Sequence, residues 1–292
     1  MFSQLIINII ISASTYLIIA LGFNIIYSTC RFFHFAHGAI FTLGAYFSFL
    51  FYSLLKFDFF SSFLFSILSV AILGLIINRY IYFPIRKHQG TSLILLIASL
   101  GIYLIIQNLI SFSFGDDTKS VRSGVVKEGL ELFSARITPI QIVIIISAIV
   151  LVAITWLILK YSTIGKASRA VANNPKLSEI YGINKERIYN FVFAYGSALA
   201  AIAGILSALD TDMTPTMGFR PLMMGVIVMI IGGVGNIPGI VLGALLLGFA
   251  QNLAAWYLPS QWQDAIAFAI MLVFLLFRPQ GFFGKPLKKA EI

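Results

Sequence analysis

Charge is what this sequence has least of. Asp, Glu, Lys and Arg together make up 11% of its 292 residues, against about 25% in an ordinary soluble domain. So few charges could not cover a water-facing surface, which excludes a soluble enzyme or a soluble binding module. Cysteine is nearly missing as well. Cys30 stands alone, so there is no intramolecular disulfide and no Cys-rich metal site. The opening stretch MFSQLIIN has no Lys or Arg. A secretory signal needs that positive start, so the first apolar run reads as a retained helix. A phosphate-cradling loop is missing too. Gly165-Lys166 runs into Ala167 and Gly284-Lys285 into Pro286, and neither pair has the upstream Gly of a P-loop. The apolar runs are almost empty of carboxylates, where a proton-coupled carrier would place Asp, Glu or His. The chain therefore has no fuel site of its own. No catalytic residue, cofactor or metal is expected of it. Either it conducts passively or another subunit supplies the work.

Apolar sequence is abundant. Hydrophobic residues make up 59% and the mean hydropathy is +0.95. A span needs roughly 20 apolar residues to cross a hydrocarbon core of about 30 Å. Such runs occupy residues 5–27, 36–55, 59–77, 91–111, 139–159, 189–209 and 262–277. The stretch 221–256 is too long for one span and is interrupted by Gly232-Gly233-Val234-Gly235-Asn236-Ile237-Pro238-Gly239. Gly and Pro clusters break helices, so the expectation is a hairpin: a short helix to about Ile231, a bend, and a second helix from about Ile240. The fold class expected is all-α: a polytopic transmembrane bundle of about 8–9 spans with broken helices, forming one domain over residues 1–292. Membrane lipid is its solvent.

The formal net charge of +9 would suggest nucleic acid in a soluble protein. In a membrane protein no nucleic-acid partner follows, because cytoplasmic loops retain Lys and Arg. Residues 78–90 carry Arg79, Arg86 and Lys87 and no acid; residues 160–188 are also basic, as is the tail with Arg278, Lys285, Lys288 and Lys289. Residues 112–138 balance their charges, and Asp210 and Asp212 lie in a further loop. The basic segments are expected inside and the others outside. A hairpin with its bend toward the cytoplasm keeps the tail inside, and counting back puts Arg31 inside and the N-terminus outside. Asp264, at the outer start of the last apolar run, reads as solvated at the interface.

Residues 160–188 carry helix punctuation rather than linker composition. Ser162 or Thr163 can cap a helix running to about Ala172; Asn174 caps a second, with Pro175 at its first position and Gly182 just past its end. Ala167, Ala170 and Val171 give the first an apolar stripe, and Leu177, Ile180 and Tyr181 the second. A helix–turn–helix of this kind suits docking of a soluble partner, the plainer alternative being a surface helix packed on its own bundle. His34 and His37, one helical turn apart, share a face. A metal site would need a third ligand, and only Cys30 is near in sequence, so polar residues at a helix break are preferred.

Four stretches, in order along the chain, carry a resemblance. Thr163-Ile164-Gly165, Arg169-Ala170 and Gly182-Ile183 resemble the cytoplasmic loop of ABC-transporter permeases that contacts the ATPase. Phe35-Ala36-His37-Gly38 with Leu43-Gly44-Ala45-Tyr46, the Gly232–Gly239 cluster with Gly243, and Arg278-Pro279-Gln280-Gly281-Phe282-Phe283-Gly284 resemble signatures of the branched-chain amino acid permeases of the LivH type. The chain departs from that pattern at His34, where the family usually has Asn. The resemblance implies a multi-pass permease of the bacterial inner membrane. Its implied partners are a second, related permease subunit, two ATP-binding cassette ATPases and an extracytoplasmic substrate-binding protein. Branched-chain amino acids are the usual cargo, and relatives carry urea, amides and other amino acids.

On that basis the substrate pathway is expected along His34, Phe35, His37 and Gly38 and along Gly233, Gly235, Asn236 and Gly239, where unwound backbone can meet a zwitterion. ATPase docking is expected at Gly165, Arg169, Ala170, Leu177, Gly182 and Ile183. A passive channel for a small neutral solute such as urea needs no docking helix. An intramembrane enzyme built on His34 and His37 would need a nucleophile or an acid–base set at membrane depth, and the spans offer none.

Overall fold

The computed structural model describes residues 2–121, 129–132 and 135–284. Its helices are α1 (Phe2–Cys30), α2 (Ala36–Phe49), α3 (Phe59–Ile77), α4 (Phe83–Lys87), α5 (Ser92–Phe114), α6 (Pro139–Tyr161), α7 (Thr163–Asn173), α8 (Pro175–Ile180), α9 (Lys185–Asp210), α10 (Phe219–Gly232), α11 (Ile237–Tyr257) and α12 (Trp262–Phe277). Among the described residues, 7 helical stretches are long and apolar enough to cross a membrane, and α10 and α12 are shorter apolar helices. The expected helical bundle with a broken hairpin is therefore present. At about 1.5 Å per residue, the 14 residues of α10 fall short of a full crossing.

The helices start where the sequence offers caps. Thr138 and Gln141 form a capping box with Pro139 at the first helical position of α6. Asp58 caps α3 by accepting from the Ser61 N–H at 3.0 Å, and that bond holds its carboxyl below the usual carboxylate range. The helices sort by burial. In its most apolar window α9 is 72% buried and α6 only 17%, so α9 is the centre of the bundle and α6 leaves most of its surface uncovered by the rest of the chain. α2 crosses α9 closely. A Cβ on Gly204 would stand 1.9 Å from the Phe41 carbonyl oxygen, so no larger residue fits that crossing.

Two expectations are corrected. Of residues 78–90, expected as a loop, only 88–90 form a turn; 78–87 are helical. α3 runs on through a single π turn, Asn78–Tyr82, into α4 and ends only at Lys87. Pro84 removes a donor and crowds the carbonyl four residues back. The π turn widens the helix just ahead of it, with the Phe83 N–H bonding back to Asn78. Second, 112–138 contains an antiparallel strand pair, β1 (Leu130–Leu132) and β2 (Ala135–Ile137), where only a loop was expected. Gln4 of α1 clasps it, donating to the Arg136 carbonyl at 3.1 Å and accepting from the Arg136 N–H at 2.8 Å.

Contacts also sort the connections to the two ends of the bundle. The Lys119 and Met213 backbones exchange bonds of 3.0 and 2.8 Å, joining the two segments expected outside. At the opposite end, Arg86 of α4 pairs with Glu186 of α9 at 3.2 Å and lies 4.6 Å from the Tyr189 ring centroid. This contact joins two segments expected inside.

Candidate functional site

The first helix break is the unwound stretch 31–35 between α1 and α2. Its backbone is supported by Ser99 of α5, which accepts from the Phe35 N–H at 3.1 Å and donates to the Phe33 carbonyl at 3.1 Å. His34 is fully buried. Its Nδ1 lies 2.9 Å from the Tyr82 hydroxyl, and its ring packs against Phe193 at 5.2 Å. Nε2 of His34 has no hydrogen-bond partner among the described residues. His37 and Gly38 lie in the first turn of α2. The His37 ring stands 6.1 Å from that of His34 and 5.9 Å from Phe23 of α1. Phe35 is half-buried and Gly38 buried. A Cβ on Gly38 would meet the Gly218 carbonyl oxygen at 2.8 Å, so the start of α2 touches the start of α10 backbone to backbone.

The second break joins α10 to α11. Gly233 and Gly235 have φ of 97° and 79°, which the glycine backbone adopts freely. The Asn236 side chain caps α11 by accepting from the Gly239 N–H at 3.0 Å and donates to the Phe283 carbonyl at 3.1 Å. α11 thus begins at Ile237, a little earlier than the expected Ile240, because Asn236 is the cap. The turn at 278–284 seats on this bend. The Phe282 N–H donates to the Ile231 carbonyl at 2.8 Å, satisfying a carbonyl that the end of α10 leaves unpaired. Asn24 of α1 accepts from the Gly235 N–H at 2.8 Å.

α1 stands between the two breaks, with Phe23 against His37 on one side and Asn24 on Gly235 on the other. Phe23, Leu222 and Met229 form a small apolar cluster, with half-buried Tyr27, Phe33, Phe35, Met223 and Val234 around it. This cluster reaches from the first break to the bend.

The docking segment forms as its caps dictate. Ser162 accepts from the Gly165 N–H at 2.9 Å and Asn174 from the Leu177 N–H at 3.0 Å. Gly182 follows α8 with φ 80°. The two expected apolar stripes part company. In α7, Val171 is buried and Ala167 and Ala170 half-buried, so this stripe packs on its own bundle. Gly165 is also inside, its Cβ position 2.3 Å from the Ile158 carbonyl of α6. Arg169 is exposed and Ile183 half-buried. In α8 the stripe faces out: Leu177 is 47%, Ile180 79% and Tyr181 78% exposed.

Three participants escape the sequence reading. Asn24 is one; like Asn8 it is an amide inside the first apolar run, a signal that could have found it. Tyr82 is another, hidden in a segment read as loop. The third is the pair Arg220–Asp264, in contact at 2.8 Å, which ties the start of α10 to the start of α12. Asp264 is thus ion-paired rather than simply solvated.

The family model described as "Branched-chain amino acid transport system / permease component" matches residues 5–275. The chain is 33% identical to the high-affinity branched-chain amino acid transport system permease protein LivH of Escherichia coli K12, over 98% of this chain and 96% of that protein. It is 32% identical to LivH of Salmonella typhimurium with the same coverage. It is also 32% identical to BraD of Pseudomonas aeruginosa, over 97% of this chain and 96% of that one. Among solved structures, PsaBC from Streptococcus pneumoniae in complex with Fab superposes with a TM-score of 0.54 at 12% identity, covering 94% of this chain and 91% of that chain. At that identity the likeness is one of fold.

Proposed function

Since the chain belongs to the branched-chain amino acid permease family, we propose that it is the membrane-spanning subunit of an ABC importer that moves branched-chain amino acids across the bacterial inner membrane. The chain is a permease rather than an enzyme. Hydrolysis falls to two ATP-binding cassette subunits, cargo delivery to an extracytoplasmic binding protein, and a second, related permease completes the route. Residues 1–292 act as one domain, with 160–188 as its docking loop. The observation that carries this reading is the outward apolar stripe of α8. A passive channel has no use for such a face at the end of the bundle that carries the basic connections.

The cargo route runs along the first break and the bend, with His34, Phe35, His37 and Gly38 on one side and Gly233, Gly235, Asn236 and Gly239 on the other. The half-buried cluster around Phe23 supports it: Phe35, Met223 and Val234 offer apolar contact to an aliphatic side chain. The unpartnered Nε2 of His34 is the kind of buried polar atom that calls for an explanation. Proteoliposomes holding the whole complex should take up labelled leucine only with ATP inside and binding protein outside, and excess isoleucine or valine should compete. Phe35→Ala should raise the apparent KM for leucine several-fold. ATP-independent urea flux through this chain alone would favour the channel.

The orientation places the N-terminus outside and the C-terminus in the cytoplasm. In a Cys30→Ser background, cysteines at Thr118 and Asp212 should react with an impermeant reagent in intact cells, and one at Lys176 should not. Lys288 lies outside the described residues. Labelling of position 176 from outside would invert the topology.

A further inference from the structure

Arg31 joins two parts of the chain that are far apart in sequence. It follows α1 directly, and its backbone sits at φ 58°, a region uncommon for residues other than Gly, Asn and Asp. Its N–H closes the end of α1 on the Tyr27 carbonyl at 2.9 Å. Its guanidinium crosses to α7 and donates from Nη2 to the Ala172 carbonyl oxygen at 3.2 Å. That oxygen belongs to the last turn of α7, where carbonyls lack helical partners and the helix dipole favours a cation.

The other end of α7 is held against α6 at Gly165. α7 is thus anchored at both ends, and α8 follows immediately from the Asn174 cap. On the far side of Arg31 comes Phe32, fully buried, with its ring 5.1 Å from Tyr82 and 6.1 Å from His34. The contacts therefore run without a gap from the docking face to the ring cluster of the first break.

We propose that Arg31 is a positioning residue that couples the docking helices to the cargo route, its guanidinium passing displacement of α7 and α8 to the unwound stretch 31–35. This inference rests on the importer reading. A partner bound on α8 moves the C-terminal end of α7, the Ala172 carbonyl carries Arg31 with it, and Phe32 shifts against Tyr82 and His34.

The test uses the full complex in proteoliposomes with its binding protein. Arg31→Gly keeps the left-handed backbone and removes the guanidinium. Cargo moved per ATP hydrolysed should fall about tenfold, within the usual range of coupling between sites. ATPase co-purification and basal hydrolysis should stay unchanged. Arg31→Lys, which retains a cation able to donate to the Ala172 carbonyl, should recover a substantial part of the ratio. An unchanged ratio in Arg31→Gly overturns the proposal, and so does loss of assembly, which would make Arg31 a folding residue. Failure of the wild-type complex to link hydrolysis to cargo removes the importer reading and this one together; a coupled wild type beside an equally coupled Arg31→Gly removes this one alone.

Discussion

Ile180→Asp should leave the bundle folded and strip it of its ATPase. Leu177, Ile180 and Tyr181 fall on one face of α8 at the spacing that makes neighbours on a helix, and Ile180 is 79% exposed. An exposed site of this kind tolerates substitution within about 0.5 kcal/mol of stability. In a docked complex the same position is desolvated. Losing a buried Ile costs about 1.5–3 kcal/mol, and an unpaired carboxylate left in the interface adds several more. Those terms together weaken docking by more than roughly a hundredfold. Co-purification of the ATPase should fall to background while circular dichroism and the melting temperature stay put. Ala170→Asp is a poorer probe, because α7 turns that residue toward its own bundle and the carboxylate would test folding as much as docking. Retained ATPase binding by Ile180→Asp would take the docking role away from α8.

Gly38→Leu should abolish uptake while the ATPase remains bound. A Cβ there meets the Gly218 carbonyl oxygen at 2.8 Å and the Leu222 side chain at 3.2 Å. The oxygen is main chain and has no rotamer to escape into, so the start of α10 must move off α2. Overpacking of this kind costs about 1–3 kcal/mol. That is within what a bundle can absorb, but it displaces α10, whose other end is fixed at the bend. α10 packs on α1, α2, α11 and α12 whereas α8 packs on α7 and α9, so α8 keeps its partner. Gly235→Leu makes the useful contrast. The nearest atom to its Cβ is the Ser28 Cβ at 3.6 Å, so space is available and the penalty is the left-handed φ, about 1–2 kcal/mol. A partial loss is expected there. Uptake and copurified ATPase, measured on the same preparations, separate the two. Normal uptake by Gly38→Leu would detach this crossing from the transport path.

The bundle is legible in the sequence because its signals are local. Run length marks the apolar helices, and Ser162 and Asn174 mark starts with side chains that bond a backbone N–H three residues on; Asn236 does the same for α11 but is hidden in a cluster that reads only as a breaker. The hairpin follows from charge: without it the basic tail lands on the wrong side. What stays hidden depends on partners distant in the chain. Arg79, Arg86 and Lys87 look like loop residues until Glu186 and Tyr189 are seen to hold Arg86. Arg220 and Asp264 each look like ordinary surface charges, and only the approach of α10 to α12 pairs them. The stripes of α7 and α8 are indistinguishable by composition, because periodicity gives an apolar face and not the neighbour it meets. The residues proposed for the cargo route gather on either side of α1, and Asn24 of that helix joins them only through its bond to the distant Gly235.

The seat of the 278–284 turn on the α10–α11 bend has a consequence for biogenesis. Phe282 and Asn236 complete bonds to segments distant in the chain, Ile231 and Phe283. A ribosome releases α10 and α11 well before it releases that turn. During insertion the carbonyls at the end of α10 must face headgroups or water, and the hairpin stays unlatched. The 278–284 turn is therefore the clasp of an element synthesised earlier, and the bend takes its finished form only after that turn has emerged and seated on it.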